Sequence, residues 1–398
     1  MSHPRNVEIL CELCAVPTAP FVEERVVDYV RAFVAQRPRL RLTSDVHGNL
    51  LVLLPGRRPR QPRWVFAAHM DHPGMAAERM VGPRTLAAVF RGGIMASFAL
   101  GEKVVFFHDG GETRGIVTRA QADRKTGRLT AVRVQVESAV PSGAPGMWDQ
   151  GAGRIRGKRF LGRVCDDLAG AAGSLAMLDE LHRRPHPPEA PVTVLLTRAE
   201  EDGFVGAVGA ASRPSLLRRS DRLIAVETSA MQPYAPQGCG PIIRLGDKIS
   251  IFNSSLSHFL TRQAEALAKK DRQFQFQRAL MPGGICEAAV YDAYGFHAAA
   301  ICIALGNYHN MDRKRRRVGP EYVDVNDYLG MVQLFVAIVC QGHTYRPGHR
   351  ELKSSFARLF AEKKHLLTEP RAKRRKLGAS PGELTIHGDI VHAEAADK

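Results

Sequence analysis

Val192-Thr193-Val194-Leu195-Leu196-Thr197-Arg198-Ala199-Glu200-Glu201-Asp202-Gly203 is the stretch that decides the architecture. Its first five residues form an apolar, β-branched run, the pattern of a strand buried in a parallel sheet. Three acids arrive where that strand should end, and Gly203-Phe204-Val205-Gly206-Ala207 opens a helix-like run of small residues. Open α/β sheets bind ligands outside the carboxyl ends of their strands, so acids at this point are placed for chemistry. The bland alternative is that Glu200, Glu201 and Asp202 only complement a helix dipole. What separates the two readings is whether other strand ends also finish in residues able to bind a metal.

Upstream, apolar positions recur at helical spacing between Val7 and Gln36, with Pro17 and Pro20 dividing the run into two helices. Leu50–Leu54 and Trp64–Ala68 read as strands, the second ending at His69-Met70-Asp71-His72-Pro73-Gly74. From about Met75 to Arg159 helical periodicity gives way to short alternating segments: 86–90, 103–107, 113–117 and 130–136. Glycine and charged turns separate them, which predicts a small β-barrel or sandwich inserted into an α/β domain. The α/β pattern resumes at Gly162-Arg163-Val164-Cys165-Asp166-Asp167, followed by a helix to about Leu181. After the strand into Glu200 come a helix, the strand 222–226 ending at Glu227, and a Pro/Gly-rich loop to Gly240. Helices near 257–270 and 287–294 precede the strand 298–305, which stops at Gly306-Asn307-Tyr308-His309-Asn310, and a last apolar helix spans 328–339.

The expected fold is thus α/β, a mixed, mostly parallel sheet with helices on both faces. Residues 1–73 and 160–345 form the catalytic domain, 74–159 the inserted β-domain, and 346–398 a C-terminal extension disordered after about 367.

Composition fits a soluble globular protein: 398 residues, 44% hydrophobic and 24% charged. No apolar run approaches the roughly 18–20 residues that span a bilayer, so no membrane partner is expected, and the N-terminus lacks the pattern of a secretory signal. The seven cysteines are scattered apart from Cys11 and Cys14, which indicates reduced thiols and a cytoplasmic protein. Net charge is +16, with much of the excess in Arg313-Lys314-Arg315-Arg316-Arg317 and in the run 371–376. Neither run is interleaved with aromatics for base stacking, so a nucleic-acid partner is not expected, and an acidic-substrate preference accounts for the charge as well.

His69, Asp166, Glu201, Glu227 and His309 each fall just past an expected strand or at an equivalent sheet edge. Imidazoles and carboxylates are the ligands that Zn²⁺ or Co²⁺ accepts. Two ions need two terminal ligands each and a bridging carboxylate, which these five residues supply. Asp71 is placed to accept the His69 imidazole N–H. Glu200 is left as an unligated carboxylate, the requirement for a general base. Taken singly, His69 could be a satisfied core histidine, Asp166-Asp167 a helix cap and His309 a loop residue; five such coincidences are less economical than one site. His108, His182, His186 and His297 lack convergent partners in sequence.

These motifs resemble the dinuclear-metal aminopeptidases of the tetrahedral (TET), deblocking and glutamyl aminopeptidase type, within the zinc-peptidase clan. Ala68-His69-Met70-Asp71 matches that family's first metal motif, and Gly157-Lys158 with Asp166-Asp167 its bridging-aspartate segment. Ala199–Ala207 resembles the paired-glutamate motif, in which the first Glu is the base and the second a ligand. Gly240–Asp247 resembles a further family segment, and Tyr308-His309 the closing His motif. Three departures bear on substrate class and metal affinity. Glu227 replaces the usual Asp, Ile285-Cys286-Glu287-Ala288 replaces Thr-Asp-Ala after Gly283-Gly284, and His72 stands where an acid is common.

The resemblance implies a cytoplasmic, homo-oligomeric metallo-aminopeptidase that removes N-terminal residues from peptides. It would use two divalent ions per chain, Zn²⁺ or Co²⁺, with Glu200 as general base on a metal-bridging water. Glu227 raises an alternative on the same residues, a carboxypeptidase or N-acyl amino-acid hydrolase. A catalytically silent homologue acting as a binding or assembly protein is the reading from another class.

Overall fold

The computed structural model describes residues 3–212, 216–346 and 350–367. Two compact units divide the chain after Tyr345.

In the first unit, eight strands form one mixed sheet in the order Arg41–Ser44, Leu50–Leu54, Val192–Thr197, Trp64–His69, Arg222–Ala230, His297–Leu305, Ile242–Gly246, Gln277–Leu280. The centre is parallel: Val192–Thr197 pairs with Trp64–His69 in register, Thr197 opposite His69, and Arg222–Ala230 runs parallel to both Trp64–His69 and His297–Leu305. Strands lying side by side in one direction bring their carboxyl ends to one edge, and the site gathers there.

Alternation along these strands feeds two cores. Val194, Leu196, Phe66, Ala68, Ile224 and Val226 pack toward the helices His3–Cys14, Leu168–Arg183 and Val325–Cys340. Leu195, Val65, Ala67, Leu223 and Ala225 pack toward Val205–Ala211 and Glu287–Ala293 on the opposite face. The mixed sheet with helices on both faces is the expected architecture. Leu168–Arg183 is buried along nearly its whole length, which its alanines and glycines permit: a Cβ on Gly173 would meet Met331 Cε at 2.7 Å.

The insertion is a closed barrel of six strands, Gly74–Gly82, Thr85–Arg91, Leu129–Val136, Gly111–Ala122, Lys103–His108 and Pro145–Trp148. Closure leaves no free edge. Its interior holds Met75, Leu86, Phe90, Val104, Phe106, Val134 and Trp148. The sequence left barrel and sandwich open, and did not mark the strands Gly74–Gly82 and Pro145–Trp148.

The second unit, described over part of its length, contains the helix Arg350–Lys363. The disorder expected after about residue 367 lies outside the described residues. No helix among the described residues is long and apolar enough to cross a membrane. All seven cysteines are free.

Candidate active site

The side chains of the site are delivered by five separate pieces of backbone. His69 is the last residue of its strand. Glu200 and Glu201 follow the neighbouring strand end, where Ala199 has φ +49° and turns the chain sharply. The helix after them begins close against the strand end, because a Cβ on Gly206 would fall 2.3 Å from the Arg198 carbonyl oxygen. Asp166 precedes the helix Leu168–Arg183, joined to Asp167 by a cis peptide. Glu227 lies inside the strand Arg222–Ala230 rather than past its end. His309 occupies the one-turn 3₁₀ segment Tyr308–Asn310, where His309, Asn310 and the preceding Asn307 have positive φ.

The structure brings all five expected ligand-type residues and Glu200 together. Three groups have potential ligand atoms within 4.8 Å of one another: His69 with Asp166 and Glu227, Asp166 with Glu201 and His309, and His69 with Glu200 and Glu201. His309 Nε2 lies 3.0 Å from Glu201 Oε1 and 3.6 Å from Asp166 Oδ2, and His69 Nε2 lies 3.6 Å from Asp166 Oδ1 and 3.9 Å from Glu200 Oε2. His69, Asp166, Glu200, Glu201 and Glu227 line a cavity of about 530 Å³.

Asp71 sits differently from the expectation. The His69 Nδ1–H donates to the Asp71 carbonyl oxygen at 3.1 Å, with the nearer carboxylate oxygen at 3.6 Å. That carboxylate instead accepts the backbone N–H groups of Glu200 at 2.9 Å and Glu201 at 3.0 Å. Asp71 thereby holds both strand-end motifs in one frame.

Electrostatics of the pocket call for cations. Burial raises Glu227 to about 8, with Asp166 and Glu287 adding to it against His69 and Arg244. Burial likewise drives Glu200 well above the usual carboxylate range, reinforced by Glu201, Glu227 and Asp71. Burial disfavours a charged His69, yet Glu200, Asp166 and Asp71 outweigh it and hold the imidazole well above its ordinary value. Buried carboxylates in this number are stable only when paired or bound to metal. Glu227 Oε1 is buried without a hydrogen-bond partner, and His309 Nε2 faces the Glu201 and Asp166 carboxylates without a well-directed hydrogen bond to either. The donor set and the orphaned Glu227 oxygen fit divalent ions.

Residues 48–317 match the family described as M42 glutamyl aminopeptidase. The chain belongs to that family. It is accordingly a peptide-bond hydrolase of the aminopeptidase type. Solved structures share the fold. An aminopeptidase from the archaeon Desulfurococcus kamchatkensis superposes with a TM-score of 0.70 at 20% identity, over 86% of this chain and 96% of that one. A TET aminopeptidase from a marine-sediment Thaumarchaeota archaeon gives 0.71 at 17% identity, over 89% and 99%. The TET peptidase of Pyrococcus horikoshii, which can assemble into a tetrahedron or a large octahedral shell, gives 0.67 at 20%, over 84% and 99%. No curated protein sequence matches the chain.

Four supporting roles escaped the sequence reading. Glu321, fully buried, accepts the N–H groups of Cys165 at 2.7 Å and Asp166 at 3.1 Å on one oxygen and that of His309 at 2.8 Å on the other. Glu23 accepts the Ala199 N–H at 3.0 Å and pairs with Arg198 at 2.7 Å, fastening the turn before Glu200. The Gly93 carbonyl, from the loop after a barrel strand, accepts His309 Nδ1–H at 3.1 Å and so leaves Nε2 free to face the carboxylates. Glu287, one of the family departures, is buried and accepts the Thr197 hydroxyl at 2.5 Å and the Tyr291 hydroxyl at 3.3 Å. No spacing rule announces a carboxylate whose partners are backbone amides.

Proposed function

We propose that this protein is a co-catalytic metal-dependent aminopeptidase that removes N-terminal residues from peptides with two divalent ions, Zn²⁺ or Co²⁺. The observation that carries this is the membership of Asp166 in two ligand groups, each completed by one histidine and one glutamate: His69 with Glu227, and His309 with Glu201. Once bound, the ions would polarise the scissile carbonyl, acidify the attacking water and offset the charge of the buried acids. Glu200 takes the water's proton and returns it to the departing amine. Its buried position and carboxylate neighbours raise its proton affinity, which suits an acceptor. Asp71 orients it through the Glu200 N–H.

Glu200→Gln tests the assignment. Ion content should stay near wild type while turnover of aminoacyl-anilides falls by roughly 10²–10⁴-fold, the usual worth of a positioned acid–base group. A loss of less than tenfold would remove Glu200 from the base role.

One observation favours a second reading, a carboxypeptidase or N-acyl amino-acid hydrolase. Arg244 lines the same cavity, is 3% exposed, and its Nε is without a partner, so it could take a substrate carboxylate. A panel of aminoacyl-anilides against N-acetylated amino acids separates the two. Cleavage of blocked substrates alone would defeat the aminopeptidase reading.

We further propose a homo-oligomer, on the precedent of the shells formed by the Pyrococcus horikoshii relative; light scattering of the purified protein checks it. The division into 1–73 with 160–345, the insertion 74–159 and the extension 346–398 is proposed on the closed barrel and the unit boundary after Tyr345. Free thiols throughout suit the cytoplasm.

A further inference from the structure

The basic run 313–317 is not a detached charge cluster. It forms the tip and return of a two-stranded hairpin, Met311–Asp312 paired with Arg317–Val318. Met311 and Val318 are buried in the barrel core, and the Val318 N–H donates to Glu102 at 3.1 Å. Arg315 is tied back to Asp312 at 3.0 Å, and Arg316 makes the turn with φ +53°. These ties fix where the tip sits. Arg313 and Lys314, both exposed, line the cavity that His69, Asp166, Glu200, Glu201 and Glu227 also line. Among the described residues neither has a carboxylate within ion-pair distance.

Adjacent cations held on a short hairpin repel one another unless a counter-charge is present. The cavity thus carries buried carboxylates at one end and exposed, unpaired cations among its other lining residues, with Met231, Met281, Ile285 and Leu305 as apolar wall. A peptide entering amine-first would place its positive terminus toward the acids and its following residues toward the cations. An extended chain advances ~3.4 Å per residue, so the second to fourth residues extend about 10 Å from the first, along the cavity that Arg313 and Lys314 share with the acids.

We propose that Arg313 and Lys314 select peptides carrying aspartate or glutamate downstream of the scissile bond, at roughly the second to fourth position. This rests on the aminopeptidase reading for the direction of entry. The selectivity is for the leaving peptide, independent of which residue is removed.

The experiment has a binding arm and a turnover arm. Fluorescently labelled tetrapeptides, with alanine throughout or with aspartate at positions two to four, are titrated into zinc-loaded Glu200→Gln protein at low and high salt. The same peptides are assayed for kcat/KM with wild-type protein. The acidic peptide should bind about tenfold tighter at low salt, the gap should narrow to about threefold at high salt, and kcat/KM should follow. In Glu200→Gln carrying Arg313→Ala and Lys314→Ala the acidic peptide should fall to the level of the neutral one. Equal binding of the two peptides, or a preference that survives the double substitution, overturns the proposal. So does a preference produced only by an acid at position one, or tighter binding of an oligonucleotide of equal charge. If acidic peptides bind selectively but none with a free amine is cleaved, the aminopeptidase reading fails and the assignment of Arg313 and Lys314 stands. Cleavage without charge preference does the reverse.

Discussion

Glu321 holds Asp166 and His309 together: one carboxylate oxygen accepts the Asp166 N–H at 3.1 Å and the other the His309 N–H at 2.8 Å. The two proposed ligands of one ion are thus spaced by a residue that never faces the cavity. Glu321→Gln replaces one acceptor oxygen with a donor and sets it against a backbone N–H. Destabilisation of about 1–3 kcal/mol is expected, the scale for leaving a buried donor unpaired, with ion affinity about 10–100-fold weaker. Metal analysis after dialysis and a thermal melt read both. Wild-type ion content with an unshifted melt would show that the carboxylate only fills space.

Gly93→Ala should act on His309 alone. The added Cβ would sit 2.9 Å from His309 Nδ1 and 3.0 Å from Cε1, so the ring must move and its bond to the Gly93 carbonyl must lengthen. Chelator titration should show one ion released about tenfold more readily and the other unchanged. Equal weakening of both ions would point to a general disturbance of the barrel.

Stability elsewhere leans on a buried pair. Arg37 bonds Asp179 at 2.8 Å and the Phe33 carbonyl at 2.7 Å, with its guanidinium 3.5 Å from the Phe33 ring centroid. Arg37→Ala leaves Asp179, 5% exposed, with Arg183 as its remaining cation. A loss of about 3 kcal/mol in urea unfolding is expected, while kcat/KM of the folded protein stays within about twofold because Arg37 is remote from the cavity. A loss below ~1 kcal/mol would mean Arg183 carries the pairing.

Asp327 gives a pH signature outside the cavity. Burial raises it to about 6 from 3.8, against the N–H bonds it receives from Gly238 and Gly240 and with Asp324 adding to the rise. A carboxyl whose folded value is raised contributes stability that is complete below pH 3.8 and lost as pH climbs through 6. Relative to Asp327→Asn, the wild type should therefore lose about 2–3 kcal/mol between pH 4 and pH 7. Denaturant midpoints across that range measure it. A difference independent of pH would show the group is ionised throughout.

Periodicity made the central strands readable, and the order of acids and imidazoles at their ends made the cluster readable. Its limits were equally physical. Glu227 lies within a strand because Arg222–Ala230 continues three residues past it; the polar residues Thr228 and Ser229 broke the apolar run that the reading relied on. The strands Ile242–Gly246 and Gln277–Leu280 were missed because Arg244 interrupts the first and Gln277-Arg278 opens the second with polar residues, although Arg244 is buried. Glu321 and Glu23 were missed because a carboxylate bonded to backbone amides leaves no residue-type pattern. The run 313–317 carried a legible charge but no address, since the barrel supplies the pocket for Met311 and Val318.

The His72 ring sits between two segments that are distant along the chain, with Nδ1 2.6 Å from the Asp166 carbonyl oxygen, 94 residues on, and Nε2 3.0 Å from Asn310 Oδ1, 238 residues on. Contacts of such separation form late, because loop-closure entropy is lost before they return anything. The pocket cannot close until the segment carrying Asn310 and Glu321 has emerged. A nascent chain of this protein therefore cannot assemble the whole pocket until the residues through Glu321 have been made.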